Sequence, residues 1–280
     1  MSTVMLAILA LIYLGADAPA VMAQEAPAAS EHSATAPVGS PTIAQPGEPK
    51  HKVSVQLNVN VEDLLRRRDF AHALKLVDEA LAQESGNAAL LHLHAQINCR
   101  SGKLDPCLDD LNRAIELAKE FLPAYQLRAN VRLDKGQPQD ALADCEAITS
   151  LIPEKSEGYD CRGRAHRALR NYPLALADFD DALRKQARFW PALYNKGAVY
   201  ALQGQAQQAI ASYTAALAIN DSHDESYAQR GTLRIAAGDV EGARADFVKA
   251  LALNGRNHTA AVGAQALHVG KALDALAGNK

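Results

Sequence analysis

The stretch YDCRGRAHRALRNYPLALADFDDALRK, residues 159–185, carries the pattern that decides the fold. Its first half places small residues around Gly163, and its second half places Leu176, Phe179 and Leu183 at intervals of three and four. Such intervals put side chains on one face of a helix. The stretch therefore predicts two helices joined by a short turn.

The pattern recurs with a period of 34 residues, as the spacing of Gly163, Gly197 and Gly231 shows. A second column of small residues comprises Ala73, Cys107, Ala141, Ala175, Ala209 and Ala243. A bulky column comprises Val77, Leu111, Cys145, Phe179, Tyr213 and Phe247. Six copies without an insertion cover residues 54–87, 88–121, 122–155, 156–189, 190–223 and 224–257. Self-similarity at a fixed period of this length indicates a repeat array.

This pattern resembles the tetratricopeptide-repeat family, over residues 54–257. The resemblance implies an all-α solenoid, a right-handed superhelix of antiparallel helix pairs, with the first helix of each pair on the concave face. A turn glycine stands between the halves of four copies, whereas Arg68 and Arg170 replace it in the other two. Residues 258–280 are expected to form a C-terminal cap helix and tail, because apolar residues recur on one side of them.

The N-terminal 53 residues contain no copy of the repeat. The apolar run from Val4 to Gly15 and the small residues Val21 and Ala23 predict a signal peptide, residues 1–23, cleaved before Gln24. An uncleaved anchor or a misplaced start codon is the alternative, because no Lys or Arg precedes the run. Residues 24–53 are rich in Ala and Pro and are expected to form a disordered linker.

Two charged columns vary together. A basic residue precedes the small column in five first helices: His94, Arg128, Arg162, Lys196 and Arg230. An acidic residue precedes the bulky column in four of the five second helices that follow them: Asp110, Asp144, Asp178 and Asp246. Where the acid becomes Ser212, the arginine becomes Lys196. The covariation predicts structural ion pairs within the repeats: Arg128 with Asp144, Arg162 with Asp178, and Arg230 with Asp246. The alternative is a basic ladder that recognises an acidic ligand.

Four cysteines stand in the repeats. In an oxidising compartment an even number suggests disulfides. The favoured pairs are Cys99 with Cys107, on antiparallel helices, and Cys145 with Cys161, on consecutive helices. The alternative is that Cys107 and Cys145 only fill apolar columns.

Composition and motifs argue against several functions. The net charge is −3 with both signs mixed, which gives no electrostatic reason to expect nucleic acid or an anionic membrane as partner. No nucleophile elbow, P-loop or zinc-ligand spacing occurs. His92 and His94 lie two apart on a helix and cannot share one metal ion. We therefore expect no catalytic residues, no metal and no cofactor.

The resemblance implies a groove that binds a protein or peptide. The expected groove residues project from the first helices and are mostly polar. They are His92, Gln96, Gln126, Asn130, Asp160, Arg164, Tyr194, Asn195, Ala198 and Gln229. The expected role is a scaffold or assembly factor in the periplasm of a bacterial envelope, or a secreted protein, without stable membrane insertion after signal cleavage. The alternatives are a chaperone for exported clients and an accessory subunit of an envelope enzyme complex.

Overall fold

The computed structural model describes residues 53–277, and these residues form thirteen α-helices. The predicted signal peptide and all but the last residue of the predicted linker lie outside the described residues. In chain order the helices are α1 (Val55–Arg66), α2 (Phe70–Gln83), α3 (Ala88–Arg100), α4 (Leu104–Leu117), α5 (Leu122–Asp134), α6 (Pro138–Leu151), α7 (Ser156–Ala168), α8 (Tyr172–Lys185), α9 (Trp190–Leu202), α10 (Ala206–Leu217), α11 (Asp224–Ala236), α12 (Val240–Leu253) and α13 (His258–Ala277).

The helices associate in sequence. Each predicted repeat contains one antiparallel pair, and we number these helix pairs 1 (α1 and α2) to 6 (α11 and α12). The chain divides after Pro153 into two compact units. The N-terminal unit contains helix pairs 1 to 3. The C-terminal unit contains helix pairs 4 to 6 and α13, which packs on α11 and α12 where the cap helix was expected.

A residue with left-handed backbone follows the first helix of every pair. Four of these residues are glycines, with φ between 70° and 84°. Arg68 and Arg170 occupy the equivalent positions of helix pairs 1 and 4, with φ 59° and 60°. Both arginines therefore adopt the turn that glycine makes elsewhere, at the steric disadvantage that any side chain has there. The turn geometry is thus common to all six pairs, although the residue type is not.

The core of each of helix pairs 4 and 5 is a ring packed on a glycine. A Cβ atom at Gly163 would lie 2.5 Å from the Phe179 ring, and a Cβ at Gly197 would lie 2.8 Å from the Tyr213 ring. Phe179 is fully buried and Tyr213 is 1% exposed. Absence of a side chain on the first helix therefore lets the aromatic ring of the second helix lie directly on its backbone.

First helices of neighbouring pairs contact each other in both units. In the N-terminal unit α3 contacts α5, and in the C-terminal unit α7 contacts α9. Consecutive second helices in the described part of the chain make no contact of this extent. Between residues 53 and 277, no helix combines the length and the hydropathy needed to cross a bilayer.

The ring-on-glycine contact predicts the effect of one methyl group. Gly163→Ala should lower the free energy of unfolding by about 1–2 kcal/mol. Overpacking costs roughly 1–3 kcal/mol, and the better helix propensity of Ala returns up to about 1 kcal/mol. Urea unfolding measures the difference.

Gly86→Ala is the matched control, because a Cβ at Gly86 would meet no atom within 4 Å. It should change the free energy of unfolding by less than about 0.5 kcal/mol. A Gly163→Ala protein as stable as the unmodified chain would contradict the packing described here.

Candidate functional site

The two charged columns meet inside four of the helix pairs. In helix pair 3, Arg128 Nη2 lies 2.6 Å from Asp144 Oδ1. The pairs Arg162 with Asp178 and Arg230 with Asp246 have the same separation of 2.6 Å. In helix pair 2 the basic residue is a histidine, and His94 Nδ1 lies 2.7 Å from Asp110 Oδ2. We call Asp110, Asp144, Asp178 and Asp246 the ladder carboxylates.

Each ladder carboxylate also has a second neighbour one helical turn along the first helix. Arg132 Nη1 donates to Asp144 at 2.7 Å, and Arg234 Nη1 donates to Asp246 at 2.9 Å. Asn98 Nδ2 donates to Asp110 at 3.0 Å. His166 stands at the equivalent place, with Nε2 3.8 Å from Asp178. The charged columns alone did not show this second row.

The basic residue also reaches back to the preceding second helix. Arg128 Nη1 donates to Asn112 Oδ1 at 2.7 Å, and Arg230 Nη1 donates to Thr214 Oγ1 at 3.1 Å. His94 Nε2 lies 3.3 Å from Asp78 Oδ1. One basic side chain therefore links three helices, which the expectation of a pair within one repeat did not include.

Burial makes these contacts structural. The side chains of Asp144, Asp178 and Asp246 are 1%, 7% and 4% exposed. A buried charge that loses its partner typically costs about 3–5 kcal/mol. No carboxylate this deep can contact a large ligand, so the ladder carboxylates act by holding the helices together.

Helix pair 5 departs from the arrangement. Ser212 replaces the ladder carboxylate, and its hydroxyl donates to the carbonyl oxygen of Gln208 at 2.8 Å. Lys196 instead forms an ion pair with Asp180 of the preceding second helix. The acid of this pair is not buried, because the Asp180 side chain is 52% exposed.

A hydrogen-bonded chain joins two first helices of the C-terminal unit. Asn195 Nδ2 of α9 donates to Asp160 Oδ1 of α7 at 2.9 Å, and Arg167 Nη1 of α7 donates to Asn195 Oδ1 at 3.0 Å. Asp160 is 8% exposed and Asn195 5% exposed. Burial raises the pKa of Asp160, while Arg164, the Asn195 amide and Arg167 act to lower it. Two expected groove residues are thus brought together, and Arg167 is a member that the helical projection missed.

Tyr194 packs against other aromatic rings of the C-terminal unit, which the sequence did not suggest. Its ring lies 5.6 Å from the Tyr213 ring and 4.9 Å from the His223 ring, and His223 in turn contacts Trp190 at 4.6 Å. Burial raises the pKa of Tyr194 and lowers the pKa of His223. The Nδ1 atom of His223 accepts from the Ser226 backbone N–H at the start of α11, which requires an unprotonated ring nitrogen.

The remaining expected groove residues are less buried. Gln229 on α11 donates to Glu225 at 2.6 Å. Asn130 is exposed, whereas five residues are half-buried: Gln96, Gln126, Arg164, Ala198 and Gln229. In the N-terminal unit, His92 is half-buried and places its ring at 5.4 Å from the Phe121 ring.

The pKa values of two histidines of α3 are shifted in opposite directions. Burial lowers the pKa of His92 to about 4. The hydrogen bond to Asp110 raises the pKa of His94, and the charge of Asp78 adds to the effect. The two side chains are two positions apart, and only the second has carboxylates on both sides.

The four cysteines, all of which lie in the described part of the chain, are oxidised. Cys99 and Cys107 form a disulfide between α3 and α4, with their Cα atoms 5.4 Å apart. Cys145 and Cys161 are disulfide-bonded as well, and no free thiol remains among the four. The interpretation of Cys107 and Cys145 as apolar filler alone is therefore wrong.

Across residues 53–277, no group of three or more His, Cys, Asp or Glu side chains is arranged to hold a metal ion. The ladder carboxylates are instead surrounded by arginine, histidine and asparagine donors.

Comparison with known proteins supports a repeat protein. Residues 162–224 match the sequence profile of the tetratricopeptide repeat. Serine/threonine-protein phosphatase 5 of Mus musculus is 25% identical over 118 residues, which are 42% of this chain and 24% of that protein. The beta-barrel assembly-enhancing protease of Escherichia coli is 33% identical over 109 residues, 39% of this chain and 22% of that protein. The chain thus spans about a quarter of the length of these relatives.

Solved structures share the architecture. TTC0263, a thermophilic tetratricopeptide-repeat protein of Thermus thermophilus, superposes with a TM-score of 0.58 at 26% identity, over 64% of this chain and 98% of that one. The type IV pilus biogenesis factor PilW superposes with a TM-score of 0.63 at 14% identity, over 74% of this chain and 98% of that one. At 14% identity the second likeness shows the fold alone.

The low pKa of the half-buried His92 imidazole predicts an acid-labile N-terminal unit. An unfolded histidine titrates near pH 6.5, so between pH 6.5 and 4 the unfolded chain binds a proton that the folded chain does not. The free energy of unfolding therefore decreases as the pH is lowered from 6.5 to 4. His92→Leu should remove roughly 2–3 kcal/mol of the loss between pH 7 and 4.5, measured by urea unfolding at both values.

His94 supplies the control of opposite sign. Its raised pKa contributes stability that is fully present below about pH 6.5 and is lost as the pH rises through the folded pKa. His94→Gln should therefore be most destabilising at the acidic end. Equal pH profiles for His92→Leu and the unmodified chain would contradict a lowered pKa of His92 in the folded protein.

Proposed function

We propose that the chain is a tetratricopeptide-repeat protein that acts as a non-catalytic scaffold or assembly factor of a bacterial cell envelope and binds a peptide or a partner helix along its first helices. Tetratricopeptide-repeat proteins mediate protein–protein interactions.

The distribution of exposed apolar residues carries the proposal. Two of the six first helices expose large hydrophobic residues: α1 exposes Val55 and Val59, and α9 exposes its last residue, Leu202, whereas α3, α5, α7 and α11 expose none. Others lie on second helices, such as Leu174 on α8 and Val248 on α12. A chaperone for unfolded clients needs exposed apolar area on its binding surface. A polar face of the first helices instead favours hydrogen bonds to one defined segment.

The polar groups of the C-terminal unit suit such a segment. Arg164, Ala198 and Gln229 are half-buried on consecutive first helices, next to the chain from Asp160 through Asn195 to Arg167. The amide groups can donate to and accept from a main chain laid across them, and the guanidinium groups can donate to it. The hydrogen bonds already fix the positions of Asn195 and Arg167, so these two side chains lose little entropy when a segment binds.

Three observations support the envelope. The run Val4–Gly15 with its small-residue cleavage site is typical of an exported precursor. The Cys99–Cys107 disulfide suits an oxidising compartment, in which the thiols are not kept reduced. The similarity to a beta-barrel assembly-enhancing protease agrees with a role in assembly. A chaperone for exported clients, or an accessory subunit of an envelope enzyme complex, is the second candidate.

Site-specific photo-crosslinking in the native host tests the surface. A photoreactive residue at Ala198 should give one dominant adduct, because Ala198 lies on the proposed binding face. The same residue at Val248, which is 62% exposed on a second helix, is the matched control and should give none. The adduct should be recovered from the periplasmic fraction, with the N-terminus of the scaffold at or near Gln24.

Three outcomes would change the assignment. Many adducts of different mass at position 198 would favour the chaperone. An adduct at position 248 alone would place the binding surface on the second helices. Recovery of the intact chain from Met1 in the cytoplasm would contradict export.

A further inference from the structure

Helix pair 5 lacks three groups that act together elsewhere. In three of the other helix pairs the basic residue is an arginine that pairs with a ladder carboxylate and lies over a tyrosine ring three residues before it. The distances from Cζ to the ring centroid are 5.6, 5.6 and 5.4 Å for Arg128, Arg162 and Arg230. In helix pair 5 the three positions are Leu193, Lys196 and Ser212. The concerted change removes the carboxylate, the ring and the guanidinium.

A pocket occupies the place of the missing groups. Its volume is about 300 Å³, and Leu193, Lys196 and Ser212 all line it. Tyr200 and Gln208 line it as well. Tyr200 stands four residues after Lys196, at the position from which an arginine reaches the carboxylate in helix pairs 3 and 6. The two positions from which donors reach a ladder carboxylate, Lys196 and Tyr200, therefore line the pocket. The position of the carboxylate itself is occupied by Ser212.

Lys196 retains capacity for a second carboxylate. An ammonium group has three N–H donors and no acceptor, and the structure gives Lys196 one ion pair, with the half-exposed Asp180. Helix pair 2 shows that one basic side chain can serve two acids, because His94 lies 3.3 Å from Asp78 and 2.7 Å from Asp110. Asp78 and Asp180 occupy equivalent positions of the repeat. In helix pair 5 the position equivalent to Asp110 is Ser212, so the place of a second acid beside Lys196 is unfilled.

We propose that this pocket binds an acidic side chain, Asp or Glu, of a partner protein, which takes the position that a ladder carboxylate occupies in the other helix pairs. The space of about 300 Å³ is open to solvent and large enough to admit an Asp or Glu side chain of a partner. Leu193 and the ring of Tyr200 supply apolar contact for the residues that flank the acid. The site lies between the two helices of one pair and is separate from the polar face of the first helices, so it does not rest on the proposed groove.

The experiment uses the ¹⁵N-labelled protein and a blocked tripeptide, acetyl-Leu-Asp-Leu-amide, whose only carboxylate is the side chain. Titration should shift the backbone amides of Lys196, Tyr200 and Ser212 saturably. The Asn analogue, acetyl-Leu-Asn-Leu-amide, should bind at least about tenfold more weakly, because hydrogen bonds to charged groups are the stronger ones. Lys196→Met should weaken binding of the Asp peptide by a similar factor.

Ser212→Asp is the decisive variant. It supplies the carboxylate from within the chain, so it should abolish binding of the Asp peptide and raise the midpoint of urea unfolding. Ser222→Asp is the matched control. It adds the same charge to an exposed position of the same unit, outside the residues that line the pocket, and it should leave the peptide titration unchanged.

Several results would overturn the proposal. Equal shifts from the Asp and Asn peptides would show that the carboxylate is not recognised. Unchanged binding to Ser212→Asp would place the peptide elsewhere. Saturation of the same amides by inorganic phosphate at equal affinity would define a general anion site. Concentration-dependent sedimentation that Ser212→Asp abolishes would replace the partner protein by a second copy of this chain.

Discussion

In each helix pair that contains a ladder carboxylate, the packing of the first helix on the second depends on that buried carboxylate. Asp144 and Asp246 each accept from two arginines of the first helix, which stand one turn apart. A carboxylate this deep is tolerable only when such donors surround it. The sixteen-residue separation between Arg128 and Asp144 recurs between Arg230 and Asp246, so the contacts fix the relative position of the two helices.

The same basic side chains extend the constraint to the next pair. Arg128 and Arg230 each contact a polar residue of the preceding second helix, Asn112 and Thr214. Neighbouring pairs are therefore joined by hydrogen bonds as well as by the apolar columns. In a repeat protein, stability is nearly a sum of pair and neighbour terms, so loss of one ladder carboxylate should act mainly on its own neighbourhood.

The period of the sequence predicted stacked helix pairs, because small and bulky columns recur at a helical spacing, and the family resemblance carried by these columns implied the solenoid. The period placed the helix pairs, and it kept Arg68 and Arg170 in the turn column, where the backbone is left-handed as at the glycines. The candidate functional site was harder to predict from the sequence. A helical projection shows which residues share a face, but not how far neighbouring side chains cover them. It therefore missed the ring contacts that partly bury Tyr194 and His92, and the reach of Lys196 to Asp180.

The coupling energy between Arg230 and Asp246 tests the central claim most directly. Urea unfolding of Arg230→Met, Asp246→Asn and the double variant should give single losses of about 3 kcal/mol each, and a double loss smaller than their sum by about 1–3 kcal/mol. The matched double-mutant cycle combines Lys196→Met with Asp180→Asn, because the acid of this ion pair is not buried. The coupling energy between Lys196 and Asp180 should stay below about 1 kcal/mol. Strict additivity at Arg230 and Asp246 would contradict the account.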